Sequence, residues 1–188
     1  MIHPSNPLSA TRSAESSESF ESSESTEAAN STPSPSPSSS VPDCPLCDAA
    51  GGVVLWSNAS LRVISVDDAH YPGFTRVVWQ AHVAEMTDLS PTDRDVMMRA
   101  VYCVEQAQRT HLAIDKINLA AFGNMVPHLH WHVIPRWKND RHFPDAYWAS
   151  PRLETNEVRA ADDAEMSERH ARVAPYQRAL IAALDALD

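Results

Sequence analysis

Cysteine is scarce in this chain: Cys44, Cys47 and Cys103 are the only three among 188 residues. A small secreted domain builds its framework from more, and an odd number leaves one thiol unpaired. A reducing, cytoplasmic setting is therefore expected. Long apolar runs are missing as well. Nothing approaches the roughly 20 consecutive apolar residues of a membrane span, and the first residues lack the apolar centre of a signal peptide. No membrane partner is expected. Basic charge is the third deficit: 15 Lys and Arg face 25 Asp and Glu, for a formal net charge of -10 and a pI near 5.3. Tight binding of a nucleic-acid polymer draws on Lys and Arg that release counterions, so this class of partner is disfavoured. A mononucleotide is not, because backbone N–H groups and neutral donors can hold a phosphate.

Mean hydropathy is low at -0.34 although 43% of residues are apolar, which implies segments of unlike character. From Ser13 to Ser40 the chain is almost all Ser, Glu, Thr and Pro. Nothing there is periodic or bulky enough to bury, so residues 1–41 are read as a disordered Ser/Glu/Pro-rich extension, inert rather than a binding or phosphorylation arm. The remaining length suits one compact domain.

Ordered patterning begins near Val41. Val53–Trp56 and Leu61–Val66 are rich in β-branched residues around Ser57-Asn58-Ala59-Ser60, which predicts a hairpin. Phe74–Gln80 follows the turn Tyr71-Pro72-Gly73 as a third strand, and an antiparallel meander is the simplest arrangement. Ser90-Pro91-Thr92-Asp93 opens a helix, with a serine cap, proline at the first helical position and a carboxylate placed to reach back. Val96, Met97, Ala100, Val101, Val104 and Ala107 then form an apolar stripe that runs toward His111. Lys116–Phe122 and His128–Pro135 complete five strands, and Ser167–Leu187 is read as a C-terminal helix with Ala171, Ala174, Leu180, Ile181 and Leu184 inward.

The fifth strand carries the chemistry. Side chains alternate between faces of a strand at a rise of roughly 3.3 Å, so His128, His130 and His132 share one face while Leu129, Trp131 and Val133 share the other. One face anchors the strand and the other displays three imidazoles. Spacing alone leaves two chemistries open. Neighbouring imidazoles can bind a transition metal and support a metal-dependent hydrolase. Alternatively the central one is a nucleophile whose neighbours manage charge and protons around a phosphate.

The run Asn118-(four residues)-Gly123-Asn124-Met125-Val126-Pro127-His128-Leu129-His130-Trp131-His132-Val133-Ile134-Pro135-Arg136 resembles the signature of the histidine-triad (HIT) superfamily. The resemblance extends from about Cys44 to His142, with Gln80-Ala81-His82-Val83 and Asp88-Leu89-Ser90 included. It implies an α+β fold: an antiparallel sheet of about five strands with one long helix, plus the C-terminal helix. The HIT domain is placed at 42–143 and a C-terminal extension at 144–188. The resemblance further implies a hydrolase or transferase of nucleoside monophosphate groups, acting on nucleotide phosphoramidates or dinucleoside polyphosphates, and a homodimer. Residue by residue, His130 matches the nucleophile that forms a nucleotidyl-histidine, and His132 a donor to phosphate oxygens. Asn118 and Asn124 match amide donors around the phosphate. Asp67 is assigned to the ribose hydroxyls in preference to Asp68. The chemistry requires no cofactor.

Two positions depart from the family pattern. Met125 lies where many relatives carry Ser or Thr beside the leaving group, and Met donates no normal hydrogen bond. Phe74 replaces a further active-site histidine. Both keep open a nucleotide-binding module with little turnover. Cys44-Pro45-Leu46-Cys47 offers two ligands to a zinc that needs four. Some superfamily members, galactose-1-phosphate uridylyltransferases among them, complete that set with the histidines matching His82 and His128. A structural zinc on Cys44, Cys47, His82 and His128 would withdraw His128 from phosphate chemistry, where it otherwise joins His130 and His132. Arg136 and the segment Arg141–Trp148 are read as packing over the sheet or against a partner subunit in preference to bordering the leaving group.

Overall fold

The computed structural model of the protein describes residues 40–152 and 156–187. All but the end of the 1–41 extension lies outside them. A one-turn helix α1 (Pro45–Asp48) precedes strands β1 (Val53–Ser57), β2 (Leu61–Ser65) and β3 (Thr75–Trp79). Helix α2 (Pro91–His111) separates these from β4 (Lys116–Ala121) and β5 (His130–Arg136), and α3 (Asn156–Asp185) closes the chain. The architecture is α+β, and no helix of the described residues is long and apolar enough to cross a membrane.

The five strands form one antiparallel sheet in the order β1-β2-β3-β5-β4. The meander holds for β1 to β3 only. After α2 the chain enters at the far edge as β4 and folds back, so β5 sits between β4 and β3. That central position places Arg76 opposite His132 and Val78 opposite His130. The ladder also begins later than the apolar alternation predicts: β5 starts at His130, and His128 lies beyond it.

Alternation sorts the two faces as period two requires. Leu61, Val63, Val77, Trp79, Ile117 and Val133 join Met97, Val101 and Val104 of α2 in the main core. Ser90 caps α2 as expected, its Oγ accepting from the Asp93 N–H at 3.2 Å. Gln108 of α2 is fully buried, and its amide donates to the carbonyls of Gly73 (3.0 Å) and Val133 (2.9 Å), which ties the helix to the strands beneath the histidines. Gly73 has φ +89, and a Cβ there would meet Leu112 Cδ1 at 2.5 Å, so the turn into β3 needs glycine.

Helix α3 starts earlier than Ser167 and packs by Leu180 and Leu184 as expected, with Tyr176 in place of Ala171 and Ala174. Tyr176, Leu180 and Leu184 are its buried stripe and belong to the main core, whereas Ala171 and Ala174 are exposed. Spacing of four residues selects one face, and Tyr176 wins it because its hydroxyl finds Thr75 Oγ1 at 2.8 Å in an otherwise apolar contact.

Candidate active site

A cavity of about 630 Å³ opens on the face of the sheet opposite α2. Its polar lining is short: Arg76 from β3, His130 and His132 from β5, Asn124 from the β4–β5 connection, and Tyr147. Phe122, Met125 and Trp148 form its apolar rim.

His130 is held by the backbone. Its Nδ1 lies 2.6 Å from the His128 carbonyl oxygen, which can only accept, so the proton sits on Nδ1 and Nε2 keeps its lone pair. Burial first, then the nearby Arg76 charge, lowers the His130 pKa, although the bond to the His128 carbonyl opposes the shift. The ring is neutral near pH 7, as a nucleophile must be. His132 lies beside it with ring centroids 4.8 Å apart and planes tilted by 49°. Burial, then the charge of Arg76, pushes its pKa down to about 3, and its buried Nε2 has no hydrogen-bond partner among the described residues.

His128 faces elsewhere. Its Nε2 is 2.7 Å from the Trp79 carbonyl oxygen, so that nitrogen carries the proton and Nδ1 is free to accept. Nδ1 lies 3.5 Å from both Cys44 Sγ and Cys47 Sγ, and His82 Nδ1 lies 3.4 Å from Cys47 Sγ. The four candidate ligand atoms fall within 4.8 Å of one another. Zinc–sulfur bonds of about 2.3 Å and zinc–nitrogen bonds of about 2.0–2.1 Å at a tetrahedral angle place adjacent S and N atoms about 3.6 Å apart, close to what is seen here. The backbone carbonyl behind His128 is the kind of partner that orients a ligating imidazole. The donor set therefore fits a structural zinc.

Local structure explains the convergence. The single turn of α1 brings Cys44 and Cys47 together, with the Cys47 N–H donating to the Cys44 carbonyl at 2.9 Å. Arg62 of β2 then fastens that turn to the sheet, donating to the carbonyls of Leu46 (2.6 Å) and Ala50 (3.1 Å) and to Gln80 Oε1 (2.9 Å).

The remaining expected site residues are dispersed. Asn124 lines the cavity, but Asn118 does not: its Oδ1 accepts from Arg136 Nη1 at 2.6 Å, and it faces the other end of β5. Asp67 is exposed and outside the cavity lining, while Asp68 accepts the Tyr147 hydroxyl at 2.7 Å. Arg136 is buried and packs as expected, with Nε and Nη2 paired to Asp140 at 2.6 and 3.0 Å. Tyr147 and Trp148, read as packing residues, also border the cavity. Two arginines were missed. Each interrupts an apolar strand, Arg62 in Leu61–Ser65 and Arg76 in Thr75–Trp79, and that interruption was the available signal.

Residues 51–139 match the HIT domain family. Over 117 residues the chain is 31% identical to an AP-4-A phosphorylase of Mycobacterium tuberculosis (strain H37Rv), with 58% of this chain and 60% of that protein covered. The chain thus spans 60% of the length of the curated relatives it matches. Among solved structures, a histidine triad protein from Bradyrhizobium japonicum aligns with TM-score 0.50 at 24% identity, covering 66% of this chain and 92% of that one. One from Marinobacter aquaeolei VT8 gives the same TM-score of 0.50, identity of 24% and coverage of 66% and 92%. These two likenesses concern the fold.

Proposed function

The chain belongs to the histidine-triad superfamily, and from that premise we propose that it is a nucleotide hydrolase or transferase whose nucleophile is Nε2 of His130. The observation that carries this reading is the 2.6 Å bond from His130 Nδ1 to the His128 carbonyl, which leaves Nε2 unprotonated on the wall of the cavity. In the first displacement Nε2 forms a bond to the α-phosphorus of a nucleotide. The bond from phosphorus to the leaving group breaks and its electron pair departs with that group. In the second, an acceptor oxygen attacks the nucleotidyl-histidine and His130 is regenerated. His132 and the Asn124 amide donate to the non-bridging oxygens as charge develops there. Water or inorganic phosphate serves as acceptor, and likeness to an AP-4-A phosphorylase supports phosphate.

Zinc has a structural part in this reading. Cys44, Cys47, His82 and His128 would hold it, and when bound it supplies a cross-link between α1, the end of β3 and the start of β5. The edge strand β4, with exposed Leu119, supports homodimerisation through joined sheets.

Rapid-quench mass spectrometry during turnover of diadenosine tetraphosphate, with a chelator present, tests the mechanism. A mass gain of one adenylyl group on wild type, absent from His130→Ala, is expected. Turnover that stops when metal is stripped while the fold persists would favour the metal-dependent reading. Nucleotide binding without turnover would leave a binding module.

A further inference from the structure

Three arginines sit in the central strands, and two are fully occupied. Arg62 donates to Leu46, Ala50 and Gln80, and Arg136 to Asp140, Asn118 and the Asp145 carbonyl. Arg76 has no hydrogen bond or ion pair among the described residues, and its Nε is buried without an acceptor. Its guanidinium lies over the Phe74 ring, 5.6 Å from Cζ to centroid, and is near enough to Tyr147, His130 and His132 to interact with each electrostatically. A desolvated guanidinium is costly to leave unpaired, and one cation–π contact offsets only part of that cost. The missing partner is an anion. The register sets Arg76 opposite His132, and it shares the cavity wall with His130, so an anion that reaches the nucleophile also reaches this fork. Its planar donors suit two phosphate oxygens at once.

The cavity also lacks an acid. Among the described residues lining it there is no carboxyl, thiol or lysine. The Tyr147 phenol, pushed up to about 12 by burial and then by Asp68, already donates its hydrogen bond to that carboxylate. An amine leaving group needs a proton as its bond to phosphorus breaks. A phosphate leaving group departs as a stable anion with the electron pair on its own oxygen, and needs only its charge neutralised.

Building on the nucleotidyl-transfer reading above, we propose that Arg76 binds the leaving-group phosphate and makes phosphoanhydrides, rather than phosphoramidates, the substrates of this site.

The test compares wild type, Arg76→Gln and Arg76→Lys in the full chain, each checked for a cooperative melt. Diadenosine tetraphosphate and adenosine 5′-phosphoramidate are the substrates. Arg76→Gln should lower kcat/KM for the tetraphosphate by about 100-fold or more, the scale set by removing one transition-state donor, and change the phosphoramidate by less than about 3-fold. Arg76→Lys should fall between wild type and Arg76→Gln, and it carries the comparison if the glutamine variant does not fold. Equal losses on both substrates, or none, overturn the proposal. Equilibrium binding provides a reading independent of turnover. Wild type should bind ATP about 10-fold more tightly than AMP, and Arg76→Gln should abolish the difference, since a charge-assisted phosphate contact is worth about that factor. Equal affinity of wild type for the two nucleotides also sinks it. A wild type inactive on both substrates would refute nucleotidyl transfer itself, and the role of Arg76 would then stand or fall on binding.

Discussion

Two clusters share a few residues of one chain segment and differ in which ring nitrogen the backbone takes. In the cysteine cluster, Trp79 occupies Nε2 of His128 and leaves Nδ1 to face two thiols. In the cavity, the His128 carbonyl occupies Nδ1 of His130 and leaves Nε2. The same kind of side chain is prepared as a candidate ligand in one place and, in the proposed mechanism, as the nucleophile in the other, because a carbonyl fixes its tautomer. The clusters are also joined: the residue that faces the thiols supplies the carbonyl that orients the nucleophile.

The strongest break in this comparison is His130→Ala. Turnover should fall by about 10⁴-fold or more, as when other covalent nucleophiles are removed, with metal content and melting temperature unchanged. A variant that loses metal would show the clusters to be one site. Cys47→Ser should do the reverse. Native mass spectrometry is expected to find one zinc on wild type and none on this variant, whose melting temperature drops by about 10 °C for a loss of about 3 kcal/mol. Wild type without metal and equally stable would remove the zinc from the account. Arg62→Gln sharpens the picture further, since it loosens α1 but keeps all four ligands. Competition with a chelator should give zinc affinity weaker by about 10- to 100-fold, and unchanged affinity would mean the turn holds itself.

A separate effect lies in stability against pH. Burial, reinforced by Arg76 and His130, takes the His132 pKa from 6.5 to about 3. The unfolded chain binds a proton there that the folded chain refuses, so stability present above pH 6.5 is lost as pH falls toward 3. Denaturant midpoints across that window should decline less steeply for His132→Asn than for wild type. Parallel declines would mean that His132 is not the group responsible.

Much of this was legible before any coordinates. β-Branched runs between turns marked the first strands, alternation marked the histidine strand, and the Ser-Pro-x-Asp start marked α2. The Cys-x-x-Cys spacing pointed to a metal, and His82 and His128 do converge with it. Strand order was not legible, because local alternation is the same whether β5 lies at an edge or in the centre. Asn118 kept its sequence distance from Asn124 yet faces Arg136, since β4 starts opposite Arg136 and Asn118, opposite Ile134, lies near that far end of β5. Tyr176 was not among the apolar positions read for the C-terminal helix, although it is among the most deeply buried residues of α3.

By itself the sequence determined the likeness to the HIT family, the α+β class and a strand of alternating histidines, because period two and residue chemistry are local properties. Only the tertiary structure decided what each histidine touches. Trp79, Cys44 and Arg76 come from other parts of the chain, and their arrival gives His128 its carbonyl and thiol neighbours and sets a guanidinium on the wall of the cavity beside His130 and His132.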